Sequence, residues 1–274
     1  MKLLIAVDME GISGVVNWDQ VDPSHAEYQR FRAAMTEDVN AAIEGAASGG
    51  AKEFLVADGH WNSSNILIEK LDPRASLNCG SPSPFSMVQG VDSGVDGAFF
   101  IGYHARAGSL NAILDHTWSS VRVANVWLNG RLTGEFGLNA SVCGHFNVPA
   151  LMISGDQTVC AEARGWVTDI ETAQVKKAAG RWAAECLPLT ASRRLIRDAA
   201  ERAVTNFMTR TYPAPLQVTL PVTMRVEFQA SQMADNAVIM PGAVRVDGRT
   251  IEFTAADMPA AYLAFRSAVG LAAR

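Results

Sequence analysis

Four short apolar runs, each unbroken by a polar residue, constrain this chain more than any other feature. Leu3-Leu4-Ile5-Ala6-Val7, Phe54-Leu55-Val56-Ala57, Ala98-Phe99-Phe100-Ile101-Gly102 and Ala150-Leu151-Met152-Ile153 have strand length but lack the alternation of a half-exposed strand. A strand apolar on both faces has to be covered on both, the condition of a parallel sheet sandwiched between helices. Between the first two runs, Tyr28, Phe31, Met35, Val39, Ala42 and Ala46 recur at helical spacing. Ser24-His25-Ala26-Glu27 ahead of them has the pattern of a capping box, and Gly49-Gly50 behind them stops the helix. The chain as far as His60 therefore reads as strand, helix, strand with a right-handed crossover. The expected fold class is α/β, a mostly parallel sheet flanked by helices.

The pattern changes near residue 190. Leu195, Ile196, Ala199, Ala203 and Phe207 predict an amphipathic helix ending before Pro213 and Pro215. From Val218 to Phe228 apolar and polar residues alternate, predicting a half-exposed strand that Pro221 places at an edge or bulge. Asp247-Gly248 predicts a tight hairpin, and Met258, Tyr262, Phe265, Val269 and Ala272 line a closing helix. The expected division is an α/β metal-binding domain over 1–190 and a smaller α+β domain over 191–274.

Composition narrows the classes. With 49% hydrophobic and 19% charged residues in a chain of 274, a large core is available and disorder is excluded. A net charge of −5 with no Lys/Arg cluster argues against a nucleic-acid partner. The apolar run at the start ends at Asp8, too short for a signal peptide or a membrane span. Cys79, Cys143, Cys160 and Cys186 match neither a zinc-ligand spacing nor a disulfide framework, so reduced thiols in a cytoplasm are expected. Gly11-Ile12-Ser13-Gly14 lacks the glycine fingerprint of a dinucleotide site, and neither a P-loop nor a nucleophile elbow is present.

In an open parallel sheet, ligands bind beyond the carboxyl ends of the strands. Strand one is followed by Asp8-Met9-Glu10-Gly11, strand two by Asp58-Gly59-His60, and strand three by Tyr103-His104. Distant segments thus bring carboxylates and imidazoles to one sheet edge, a donor set suited to Zn²⁺, Mn²⁺ or Co²⁺. Asp115-His116-Thr117 follows a further short apolar run, and Glu135 opens a helix expected to reach about His145. For His116 a core histidine bonded to a backbone carbonyl is the competing reading, and for Glu135 a first-turn helix charge. His25 reads as exposed and His145 as a helix cap.

Together these motifs resemble the peptidase M55 family of DppA-like, zinc-dependent D-aminopeptidases. Those that carry the likeness are Val7 to Ile12, Ala57-Asp58-Gly59-His60, Gly102-Tyr103-His104-Ala105, Asp115-His116-Thr117, Asn129-Gly130-Arg131 and Gly134-Glu135. The likeness continues through Pro149–Asp156 to Val244–Gly248 and so covers essentially the whole chain. The resemblance implies two zinc ions held by Asp8, Glu10, His60, His104 and Glu135, with Asp8 bridging, and His116 as the catalytic side chain. It also implies a homodecamer of stacked pentamers enclosing its sites, and release of N-terminal residues, often D-alanine, from short peptides. Trp61 departs from the small residue common after the second-strand histidine, and Pro82 and Pro84 mark a divergent loop.

In the expected scheme a metal-activated water attacks the peptide carbon. His116 acts as an acid and base, an oxyanion donor or a nucleophile, and Asp58 or Asp115 either orients the imidazoles or serves as a structural turn residue. Two other readings fit the same residues: a two-metal phosphoesterase, and a binding or assembly protein clamped by a structural ion.

Overall fold

The computed structural model describes residues 1–273. In chain order its elements are β1 (Lys2–Val7), α1 (Tyr28–Ser48), β2 (Glu53–Asp58), β3 (Ala75–Asn78), β4 (Gly97–Ile101), β5 (Val123–Leu128) and β6 (Arg131–Thr133). Then come α2 (Glu135–His145), β7 (Ala150–Asp156), α3 (Gln157–Trp166), β8 (Glu171–Ala178), β9 (Ala184–Cys186) and α4 (Leu189–Met208). The chain closes with β10 (Val222–Phe228), α5 (Ser231–Ala237), β11 (Val244–Arg245), β12 (Thr250–Ala255) and α6 (Met258–Leu271).

The first sheet has the order β3-β2-β1-β4-β7-β8-β9 and is parallel except for β9. Its unbroken apolar strands are explained by what covers each face. Leu3, Ile5 and Val7 pack with Met35, Val39 and Ile43 of α1 and Ile196, Ala200 and Val204 of α4. Leu4 and Ala6 face the opposite layer with Phe100, Phe136 and residues of the second sheet. Strand β1 lies where the winding reverses, with β2 and β3 to one side and β4, β7 and β8 to the other. That reversal opens a crevice beyond the carboxyl ends of β2, β1 and β4.

The second sheet, β11-β12-β10-β5-β6, is antiparallel. Strand β10 is central in it rather than at an edge. Its pairing starts at Val222, after Pro221, so the proline stays outside the ladder and costs it no hydrogen bond. The contacts also cross residue 190 in both directions: β5 pairs with β10, while α4 packs on α1 and β8. The anticipated capping box does not form. Ser24 turns its amide and hydroxyl to Asp22 Oδ1 at 2.8 Å, and α1 begins only at Tyr28. Helix α2 is buried from Glu135 to Gly144 and carries its first residue into the crevice.

Candidate active site

Two glycines allow the loops after β1 and β4 to meet. A Cβ on Gly11 would lie 1.9 Å from the Tyr103 carbonyl oxygen, and Gly102 has a φ of +71° with the Asp8 carbonyl oxygen 2.4 Å from where a Cβ would be. In their place Gly11 N–H donates to the Gly102 carbonyl at 2.8 Å. Bulkier residues would force apart the loops carrying Asp8, Glu10 and His104.

Asp8, Glu10, His60, His104, His116 and Glu135 converge and are all buried. Asp8 Oδ1 lies 3.3 Å from His60 Nδ1, and Asp8 Oδ2 lies 3.3 Å from His104 Nε2. Glu10 Oε2 stands 3.1 Å from His60 Nδ1, and Glu135 Oε1 3.2 Å from His104 Nε2. The cluster is thus two imidazole–carboxylate pairs joined through Asp8. His116 stacks on His104 with centroids 3.9 Å apart, its Nε2 lying 3.7 Å from Glu135 Oε1 and 3.9 Å from Glu10 Oε1.

Backbone carbonyls orient all three rings. His60 Nε2 donates to Val21 O at 2.9 Å, His104 Nδ1 to Ala105 O at 3.0 Å, and His116 Nδ1 to Leu114 O at 2.8 Å. Each carbonyl can only accept, so the bonded nitrogen carries a proton and the other ring nitrogen faces the acids. Of the two readings for Asp58 and Asp115, the structural one holds and the imidazole-orienting one does not. Asp58 accepts from Asn65 and from the Ile66 amide, and Asp115 from the Gly108 amide while pairing with Arg181. His25 is exposed beside Asp19, and His145 ends α2 exposed to solvent.

The electrostatics call for positive charge inside the cluster. Burial works to lower His60 and His104, but facing carboxylates outweigh it: Glu10 and Asp8 raise the first well above the usual imidazole range, Glu135 and Asp8 the second. Burial also works to raise Asp8, and His104 and His60 hold it well below the usual carboxylate range. Burial, then the neighbouring His104, lowers His116. Among the described residues, no Lys or Arg pairs with the carboxylates of Asp8, Glu10 or Glu135. Glu10 Oε2 and His104 Nε2 are buried without a well-formed hydrogen bond. Three buried carboxylates and converging imidazole nitrogens fit divalent cations, which would take the place of the ring protons facing the acids. Donor atoms within 4.8 Å of one another occur in two groups, Asp8 with Glu10 and His104, and His104 with His116 and Glu135.

Sequence reasoning missed Lys176, on β8 and 1% exposed. Its Nζ donates to the carbonyls of Glu10, Ile12 and Val15 at 2.6, 3.0 and 2.7 Å, fastening the loop after β1. Burial brings it down to about 8, which leaves it charged at neutral pH. The Trp118 amide, which donates to Glu135 Oε1 at 2.7 Å, was missed as well. So was Trp18, whose ring meets His116 at 5.5 Å. No run of polar and apolar residues signals such contacts.

The sequence profile described as peptidase M55, D-aminopeptidase, matches residues 1–267. The chain belongs to the peptidase M55 family. A D-aminopeptidase of Bacillus subtilis (strain 168) is 38% identical to this M55 member over 275 residues, spanning 100% of this chain and 98% of the relative. The solved structure of the Zn-dependent D-aminopeptidase DppA from Bacillus subtilis, described as a self-compartmentalizing protease, is also similar. It superposes with a TM-score of 0.95 at 38% identity, covering 100% of this chain and 98% of that one. Membership in M55 makes the chain a peptidase, and favours that reading over the phosphoesterase and metal-clamp alternatives.

Proposed function

We propose that this M55 peptidase is a di-zinc aminopeptidase releasing N-terminal D-residues from short peptides. The observation that carries the reading is the divided carboxylate of Asp8, with one oxygen turned to the His60–Glu10 pair and the other to His104–Glu135. Asp8 would then bridge the ions, with His60 and Glu10 completing one set of ligands and His104 and Glu135 the other. Bound there, zinc supplies Lewis acidity toward the scissile carbonyl and a lowered pKa for water. Mn²⁺ or Co²⁺ would suit the same donors.

His116 moves the proton. With its Nδ1 proton committed to Leu114 O, the neutral ring has a lone pair at Nε2 and no proton there to give an oxyanion. It therefore takes a proton from the attacking water and returns it to the leaving amine as the C–N bond breaks. The general-base role is favoured over the oxyanion-donor and nucleophile roles. The burial that lowers His116 keeps it unprotonated for this task.

Zinc dependence and D-specificity come to this chain from the relatives. DppA is described as self-compartmentalizing, and on that likeness this chain would assemble too, as a homodecamer. A cytoplasmic setting is supported by four unpaired cysteines, two of them exposed. Among the described residues no helix is long and apolar enough to cross a membrane.

The test is to incubate the purified protein with D-alanyl-D-alanine and L-alanyl-L-alanine, with and without chelator, and measure free alanine. The expected result is release from the D,D dipeptide, abolished by chelator and restored by zinc. Release unaffected by metal removal, or confined to the L,L dipeptide, would contradict the proposal.

A further inference from the structure

The cleft over this site has a volume of about 440 Å³, room for a short peptide. Its floor carries the charges of Asp8, Glu10 and Glu135, and its wall carries one permanent cation, Arg122. Arg122 is half-buried, yet among the described residues its guanidinium has no ion pair, hydrogen bond or aromatic partner. Only Arg194 and Arg210 share that condition among the described arginines, and both are exposed. Ser119 and Ser120 line the same stretch of wall, and their hydroxyls are likewise without partners. The backbone beneath is fixed: Arg122 N–H donates to Ser119 O at 3.2 Å, and Arg122 O accepts from Gln229 N–H at 2.8 Å.

A partly desolvated guanidinium without a protein partner is costly to keep unless a ligand supplies one. Its planar fork matches a carboxylate bidentately, and neighbouring hydroxyls are further donors to the same anion. The geometry points to Arg122, with Ser119 and Ser120, as the receptor for the free C-terminal carboxylate of the substrate. This inference rests on the aminopeptidase reading above and narrows its substrate class. With the scissile carbonyl at the acidic floor, a carboxylate about one residue further along the peptide, roughly 3.5 Å per residue, reaches toward the wall. The preferred substrate is then a dipeptide or similarly short peptide with a free carboxylate, while amides and peptides whose carboxylate lies far from the scissile bond forgo the contact.

The test compares D-alanyl-D-alanine with its C-terminal amide on the zinc-loaded wild type and on Arg122→Gln. Wild type should favour the free acid by at least about tenfold in kcat/KM, the value of one charge-assisted hydrogen-bonded pair. Arg122→Gln should lose that preference through a raised KM for the acid, with the amide unaffected and with zinc content and melting temperature as in wild type. Equal hydrolysis of acid and amide by wild type, or a parallel fall for both in the variant, would overturn the carboxylate assignment and leave the aminopeptidase standing. Hydrolysis of neither by zinc-loaded wild type would overturn both.

Discussion

His104 and His116 stack with ring planes 11° apart and centroids 3.9 Å apart. His104 points its free nitrogen at the acids while His116 keeps its own at their margin, 3.7 Å or more from any carboxylate oxygen. The stack therefore divides a ligand-like imidazole from one left for proton transfer. His116→Ala should keep bound zinc and assembly while kcat falls by about 10² or more, the usual contribution of a positioned base. Elemental analysis alongside kinetics checks this; full activity in the variant would remove the assigned role.

The acid limb of the pH profile follows from the same ring. Burial, then His104, lowers His116 from 6.5, so the neutral base is present above its pKa and lost as pH falls through it. Zinc bound by His104 would act in the same direction, by placing positive charge beside the stack. Activity should hold at pH 6.5 and fall only below it. Zinc content measured across the profile separates loss of base from loss of metal, and a limb above 6.5 with zinc retained would count against the assignment.

Asp8→Ala should release both ions, because a bridging ligand belongs to each set. Glu10 and Glu135 would then lack the charge of the ions and keep only His60 and His104 as partners, lowering Tm in zinc-containing buffer relative to wild type. Elemental analysis finding two ions per chain in this variant would contradict the bridge.

Lys176→Met should loosen the loop that carries Glu10. Three buried carbonyls, those of Glu10, Ile12 and Val15, would lose a charged donor. Stability should drop by roughly 2–4 kcal/mol in denaturant titration. The ion on the Glu10–His60 side should be lost to chelator first, whereas loss of the two ions in parallel with wild-type kinetics would show that Lys176 does not position Glu10.

How far the site could be read from the sequence depended on how local each residue's constraint is. Asp8, Glu10, His60 and His104 were legible because each follows an unbroken apolar strand, and parallel strands place their carboxyl ends together. Glu135 was legible as the residue opening α2. Lys176 was not, because nothing in the Glu171–Ala178 segment marks a lysine as internal, and only the loop after β1, some 160 residues away, makes it so. The carbonyls of Val21, Ala105 and Leu114 that orient the imidazoles were hidden for a related reason: backbone acceptors leave no mark on residue identity. In the fold, the period-two pattern of β10 predicted a strand correctly but not its central place. Its partner β5 lies about 100 residues earlier, and pairing at that distance is set by the packed layers rather than by local preference.

The central claim is that Asp8 stands between two cations. Crystals grown with zinc, with diffraction recorded above and below the zinc absorption edge, test it most directly. Two anomalous peaks per chain are predicted, one against His60 and Glu10 and one against His104 and Glu135, with an Asp8 oxygen on each. A single peak, or zinc bound away from these residues, would contradict it.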